Sequence, residues 1–110
     1  MNWIDLTNEE QLNQLIQESS HNPQLIFKHS TRCSISIMAK SRLDREDSVP
    51  DMDFYYLDLL QFRDLSKKIA EVFSIVHQSP QVLLIKNGEC VYEETHNAIN
   101  MEEIREQIAL

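Results

Sequence analysis

Two spacings of apolar residues alternate along the chain and predict an alternation of strands and helices. Compact apolar runs at residues 25–27, 54–60 and 82–86 are typical of strands buried in a sheet. Between these runs, apolar residues three or four positions apart predict amphipathic helices. A short edge strand at residues 3–6 precedes the first helix. Strands and helices are therefore expected to alternate over most of the chain.

Capping and turn residues mark the ends of the predicted elements. Thr7 and Asn100 each stand three residues before a glutamate, a pairing that caps the amino end of a helix. Asn87-Gly88 predicts a tight hairpin because both residues tolerate positive φ, so the strand at residues 90–93 is antiparallel to the strand before it. The predicted element order is β-α-β-α-β-α-β-β-α. The second helix is expected to bury the apolar residues spaced i, i+3, i+4 and i+8: Ile35, Met38, Ala39 and Leu43.

This order predicts an α/β fold in which a mostly parallel sheet has helices on both faces and the closing hairpin adds one antiparallel edge. A thioredoxin-like fold with a mixed central sheet fits this description. The 110 residues are enough for one hydrophobic core, so we expect a single domain over residues 1–110.

Composition and charge exclude several classes of function. The chain has 18 acidic and 10 basic residues, and its net charge of −8 repels nucleic acid. The single glycine, Gly88, excludes the glycine-rich loops that bind dinucleotides or nucleoside triphosphates. No apolar run approaches the roughly 20 residues that cross a bilayer, and the first residues do not form a signal peptide, so we expect a cytoplasmic protein. Four scattered histidines and two distant cysteines predict no metal site and no disulfide framework.

Cys33 is the residue that carries candidate chemistry. It is predicted to lie where the carboxyl end of a buried strand meets the amino end of a helix, and the helix dipole and free amides there favour a thiolate. The neighbouring sequence has one acidic and five basic residues, a local charge of +4. The basic residues are Lys28, Arg32, Lys40, Arg42 and Arg45. Arg32 is adjacent to the cysteine, while the last three belong either to a basic island that suits an anionic partner or to an ordinary solvated helix face.

Ser36 stands three residues after Cys33, on the same face of the predicted helix. A CxxC enzyme has its resolving cysteine at this position, whereas a serine hydroxyl can donate to the sulfur but forms no second sulfur bond. The CxxS spacing therefore predicts a monothiol mechanism, in which the disulfide formed at Cys33 waits for an outside thiol. The alternative is that Ser36 is an ordinary serine in a first helical turn.

Ser79-Pro80 directly precedes the strand at residues 82–86. Thioredoxin-like folds have a cis proline at this place, beside the active cysteine, and the residue before the proline pairs its backbone with a bound substrate. We therefore expect Ser79 and Pro80 to form a substrate-binding turn. The alternative is an ordinary trans proline in a loop.

Three segments together resemble the bacillithiol-system redox proteins, the monothiol bacilliredoxins of YtxJ type: residues 29–36 (HSTRCSIS), 77–81 (HQSPQ) and 85–89 (IKNGE). Ser34 departs from that family, which usually has proline after the cysteine. The resemblance implies a thioredoxin-like fold, Cys33 as the attacking thiol and Ser79-Pro80 as the substrate-binding turn. It also implies bacillithiol as the small-thiol co-substrate, S-bacillithiolated cytosolic proteins as partners, and no tightly bound cofactor.

Two other functions stay open. A monothiol glutaredoxin would work with glutathione or an iron–sulfur cluster, but such proteins usually have a glycine after the cysteine and a Gly-Gly pair past the hairpin, unlike this chain. A thioredoxin-like module without catalysis would use the Ser79-Pro80 edge to hold a peptide. Cys90, on the last strand, is expected to be a small packing residue and not a resolving thiol.

Overall fold

The computed structural model describes residues 1–110 and contains five strands, four α-helices and one short 3-10 helix. In chain order these are β1 Trp3–Asp5, α1 Glu9–Glu18, β2 Gln24–His29, α2 Ser34–Asp44, β3 Asp53–Asp58, α3 Arg63–Phe73, β4 Gln81–Lys86, β5 Glu89–Thr95, the 3-10 helix His96–Ala98 and α4 Met101–Ile108. The predicted order of strands and α-helices is confirmed. None of the helices is long and apolar enough to cross a membrane.

The strands form one mixed sheet in the order β1-β3-β2-β4-β5, with β2 at its centre. β1, β3 and β2 are parallel, but β4 is antiparallel to β2 and β5 is antiparallel to β4. The expectation that only the closing hairpin is antiparallel is therefore wrong. The reason is the connection after α3, where residues 74–80 carry the chain back so that β4 starts beside the end of β2. Seven extended residues span roughly 23 Å, which is enough to return along a helix of 11 residues.

Apolar side chains on the two faces of the sheet form two separate core clusters. α2 and α4 contribute to one cluster, and α1 and α3 contribute to the other. Because successive residues of a strand point to opposite faces, Leu25 and Phe27 enter the first cluster and Ile26 enters the second. All six residues of β2 are buried, whereas the sequence predicts burial only for residues 25–27. Lys28 follows Ile26 on the side of α1 and α3 and is completely buried.

The predicted helix cap at Asn100 and the predicted hairpin are confirmed, whereas the cap of α1 differs and β3 ends at Asp58, two residues before its predicted end. Asn100 caps α4 by accepting a hydrogen bond from the backbone N–H three residues on, at 2.9 Å. Asn87 and Gly88 form the predicted hairpin, with φ values of 52° and 77°. The N-cap of α1 is Asn8 and not Thr7, because it is the Asn8 side chain that accepts from a backbone N–H of the first turn, also at 2.9 Å.

α2 buries a different face from the predicted one. Its buried residues are Ser36, Ala39 and Leu43, whereas Ile35 and Met38 are 37% and 58% exposed. The side chains at positions 36 and 39 are small, which allows the first turns of α2 to pack closely on the sheet. Together with Ile37, three large apolar side chains of the first turns consequently face away from the core.

β5 is an edge strand, and its outward residues alternate with residues that pack on the core. Glu89, Val91 and Glu93 are exposed, while Cys90 and Tyr92 are half-buried. The outer edge of the sheet on this side therefore presents acidic groups to solvent.

Candidate active site

Cys33 is the N-cap of α2, four residues beyond the end of β2. Its backbone N–H donates to the Ser30 carbonyl at 3.2 Å, and its carbonyl accepts the first helical hydrogen bond, from Ile37, at 3.0 Å. The Cys33 side chain is half-buried and makes no capping hydrogen bond. α2 has no acidic residue in its first turn, so the positive end of its dipole acts on the sulfur without a neutralising carboxylate. A free thiol thus lies at the positive end of the α2 dipole.

Ser36 holds the loop that carries Cys33, and its hydroxyl does not bond the sulfur. The side chain is completely buried, its Oγ accepts the Ser30 N–H at 3.0 Å, and it lies 2.8 Å from His29 Nδ1. Burial, together with the charge of Lys40, lowers the pKa of His29, so the neutral ring accepts the Ser36 proton. This pairing replaces the serine-to-sulfur hydrogen bond that the CxxS spacing suggests. Ser36 is therefore part of the site as a positioning residue.

Ser79 and Pro80 lie at the same edge of the sheet as the Cys33 loop. The bond between them is cis, as the sequence predicts. Because Gln81 pairs with Lys28, the residues before Gln81 lie beside those that follow β2. Neither the N–H nor the carbonyl of Ser79 has a backbone partner, and the buried Ser79 Oγ has none either. A polypeptide segment next to the cysteine loop thus has its hydrogen-bonding groups free.

The basic residues around Cys33 divide into separate groups. Arg32 is exposed and adjacent to the cysteine. Lys40 forms an ion pair with Asp44 at 2.7 Å, and Arg42 donates to two carbonyls of the segment that precedes α4, both at 3.1 Å. Arg45 is exposed beyond the end of α2. Lys40 and Arg42 thus have partners elsewhere, so the basic island is smaller than the sequence suggests.

The sequence of this chain matches the model of a known protein family. The family model of the monothiol bacilliredoxin BrxC matches residues 4–104. The chain is a member of this bacilliredoxin family. A solved structure described as having a thioredoxin fold is 34% identical, with a TM-score of 0.81 over 96% of this chain and 92% of the other. This bacilliredoxin-family chain is therefore a thioredoxin-fold protein of a thiol-redox family.

Thioredoxins share the same fold at lower identity. The thioredoxin of Fasciola hepatica is 20% identical, with a TM-score of 0.72 over 96% of this chain and 95% of the other. Mitochondrial thioredoxin 3 of Saccharomyces cerevisiae is 22% identical, with a TM-score of 0.71 over 96% and 92% of the two chains. The bacilliredoxin-family chain thus shares the thioredoxin fold over nearly its whole length.

Both cysteines of this bacilliredoxin-family chain are free, and they lie at opposite ends of the sheet. Cys90 is on β5 beside Ile85, which pairs with Gln24 at the start of β2, whereas Cys33 follows the end of β2. The strand from Gln24 to His29 alone spans roughly 16 Å, so the two sulfurs are too far apart for a disulfide. Cys90 packs on the second core cluster, as expected of a small packing residue.

A polar cluster around Lys28, near the end of β2, was not predicted from the sequence. Lys28 Nζ is buried in the sheet and donates to the Ser66 carbonyl at 3.1 Å, and it lies 3.1 Å from His77 Nδ1. Burial lowers the pKa of Lys28 to about 8, and burial together with the Lys28 charge lowers the pKa of His77. The signal in the sequence is a lysine that directly continues the apolar run of a strand buried on both faces.

Proposed function

We propose that this protein is a monothiol thiol–disulfide oxidoreductase that removes bacillithiol from mixed disulfides on client proteins. The observation that carries the proposal is the Cys33 thiol at the start of α2, which has no second thiol within reach. Membership of the monothiol bacilliredoxin family supports the choice of small thiol. Arg32, the exposed residue that directly precedes Cys33, carries a positive charge that would favour the thiolate.

The reaction proceeds by two exchanges of thiol and disulfide. The Cys33 thiolate attacks the bacillithiol sulfur of the mixed disulfide, a new S–S bond forms, and the client sulfur leaves as a thiolate that takes a proton from water. The client is thereby reduced, and the small thiol is held on Cys33. Because Ser36 has no sulfur, a second low-molecular-weight thiol must attack this adduct. That step releases the Cys33 thiolate and produces a disulfide of two small thiols.

The Ser79-Pro80 turn provides a place for the client backbone. The free N–H and carbonyl of Ser79 can pair with an extended segment of the client in the manner of an added strand. Such backbone pairing does not depend on the side chains of the client, which suits a protein that acts on clients of different sequence. It aligns the client disulfide with Cys33, and alignment of the three sulfurs is what thiol–disulfide exchange requires.

The proposal is tested by mixing the reduced protein with a client that carries bacillithiol and weighing both by mass spectrometry. We expect the adduct to move to the wild-type protein and to the matched Cys90→Ser variant, and we expect Cys33→Ser to leave it on the client. Transfer by Cys33→Ser, or no transfer by the wild type, would overturn the proposal. The second outcome is the one that a binding module without catalysis gives.

A further inference from the structure

A cavity of about 270 Å³ lies outside the groups that the proposed exchange uses. Its walls are Leu59, Arg63, Ser66, Lys67 and His77. Leu59 donates its backbone N–H to the carbonyl of His29, at the end of β2, at 3.0 Å. His77 stands two residues before Ser79. The cavity is therefore at the same edge of the sheet as Cys33, between the loop after β3 and the turn that we propose binds the client.

The cavity is cationic, although the molecule as a whole is acidic. Arg63 and Lys67 contribute two positive charges to its walls, and neither forms an ion pair. No carboxylate is among the lining residues. Ser66 and His77, which complete the polar wall, both contact the buried ammonium group of Lys28. Two cations, Arg63 and Lys67, thus line the cavity, and a third, Lys28, lies behind the wall that Ser66 and His77 form.

Lys28 is the unusual member of this cluster, because it is completely buried and has no carboxylate partner. A buried charge costs free energy unless an opposite charge compensates it. Two of the three N–H groups have partners, Ser66 O and His77 Nδ1, and both partners are neutral. With a pKa of about 8, the Lys28 amine is mostly protonated at neutral pH. The positive charge is therefore present and lacks a counter-ion within the chain.

His77 connects this charge to the cavity. Its Nδ1 accepts a hydrogen bond from the Lys28 ammonium group, so in the neutral ring the hydrogen is on Nε2. The side chain is exposed and lines the cavity, which leaves this second nitrogen available to donate to a ligand. An anion in the cavity would accept hydrogen bonds from His77 Nε2, Arg63 and Lys67. The His77 ring would then lie between the negative charge of the anion and the positive charge of Lys28.

We propose that this cavity binds a carboxylate of the low-molecular-weight thiol while the sulfur of that thiol is bonded to Cys33, an inference that rests on the proposed function. The volume suits the acidic arm of a small thiol, because it lies below the range of roughly 300–1,000 Å³ of cavities that enclose a whole drug-sized ligand. The cavity thereby distinguishes acidic small thiols from neutral ones, while the Ser79 backbone binds the client without regard to its sequence.

The anion site is tested first without any redox step. Wild-type protein is titrated with succinate, and with the neutral succinamide as control, at constant ionic strength, while the NMR signals of the His77 ring and the Ser66 amide are followed. We expect saturable shifts with succinate only. Lys67→Gln should weaken succinate binding about three- to tenfold, the loss of one charge-assisted contact at a partly solvated site. Lys68→Gln removes the same charge from the same helix outside the cavity and should leave binding unchanged.

Absence of saturable shifts, or equal weakening by Lys67→Gln and Lys68→Gln, would overturn the anion site. Both replacements are at exposed positions, so folding is not at risk. Lys28→Met, which removes the buried charge at similar chain length, should abolish the shifts.

The link to the reaction is tested with two mixed disulfides on one client peptide that lacks acidic residues and has an amidated carboxyl end. One carries N-succinylcysteamine and the other carries its carboxamide, so the two small thiols differ by a single charge. We expect the wild type to remove the acidic thiol about three- to tenfold faster at limiting concentration, and Lys67→Gln but not Lys68→Gln to lose that preference. Equal rates in the wild type overturn the inference and leave the proposed function standing. A wild type that removes neither thiol, nor bacillithiol itself, overturns the proposed function.

Discussion

Lys28 shows at the scale of one residue how a group that opposes folding is retained next to a reactive site. It lies at the end of a strand whose other residues are almost all apolar or aromatic, yet its ammonium group is buried against two neutral partners. Replacement by an apolar side chain of similar length removes the cost of burying the charge. We therefore expect this position to show a conflict between stability and ligand binding.

The first prediction is that Lys28→Met stabilises the fold at pH 7 and that its advantage shrinks as the pH rises. Between pH 8 and 10.5 the unfolded chain holds a proton on Lys28 that the folded chain has released, so the stability of the wild type increases with pH in this interval. The lowered pKa of Lys28 changes the free energy of unfolding of the wild type by about 3 kcal/mol at most over the whole pH range. About 2 kcal/mol of this change falls between pH 7 and 9.5. Urea unfolding of both proteins at these two pH values measures the difference. An advantage that does not change with pH would contradict it.

The start of α2 shows at the scale of an element how the cysteine loop is fixed. The buried Ser36 hydroxyl joins the N–H of Ser30 and the ring of His29, which connects the end of β2 to the first turn of the helix. Cys33 and Ser36 are the N-cap and the third residue of the same turn. Residues at this spacing are near enough for a disulfide.

The second prediction is that Ser36→Cys changes the protein from a monothiol to a dithiol enzyme. The new thiol can attack the adduct on Cys33, release the small thiol and leave an internal disulfide. After reaction with a bacillithiolated client, mass spectrometry should show the adduct on the wild type and a chain lighter by two hydrogens for the variant. Ser36→Cys combined with Cys33→Ser is the control that should not react. Accumulation of the adduct on Ser36→Cys would show that the new thiol does not attack the mixed disulfide on Cys33.

Elements with a local signal are predictable from the sequence, and elements fixed by distant contacts are not. The hairpin at Asn87-Gly88 and the cap at Asn100 depend on side chains within a few residues, and both are confirmed. The direction of β4 depends on where the loop after α3 leads, which no local pattern encodes. The buried face of α2 depends on how closely the helix approaches the sheet.

The residues of the candidate site also differ in whether the sequence predicts their place. The place of Cys33 follows from a strand that precedes a helix, and the cis Ser79-Pro80 bond follows from the predicted thioredoxin-like fold. The Lys28–His77 contact joins residues 49 positions apart, so it could not be read from spacing.

At the scale of the whole molecule, the two thiols occupy opposite ends of the sheet and differ in environment. Cys90 packs on the core, where burial raises the pKa of its thiol, and its sulfur donates to the Tyr92 carbonyl at 3.4 Å. Cys33 is at the end of a helix with an unbonded sulfur. We therefore expect Cys33 to be the more reactive of the two thiols.

The third prediction is that iodoacetamide labels Cys33 before Cys90 at pH 7. The raised pKa of Cys90 keeps its thiol protonated, and the thiolate is the form that reacts. We expect Cys33 to react faster at pH 7, since burial both raises the pKa of the Cys90 thiol and restricts access of the reagent to its sulfur. Peptide mapping by mass spectrometry after timed quenching gives both rates, and raising the pH should narrow the difference. Equal labelling at pH 7 would contradict the prediction.

The acidic outer edge of β5 has a consequence for how copies of the protein meet. A bare strand edge is a template on which another chain can extend the sheet, and charged side chains along it make such pairing unfavourable. Glu89 and Glu93 would oppose the same residues of a second copy. Self-association by sheet extension is thus discouraged at this border, and the reactive sulfur at the other end of the strands stays accessible to foreign disulfides.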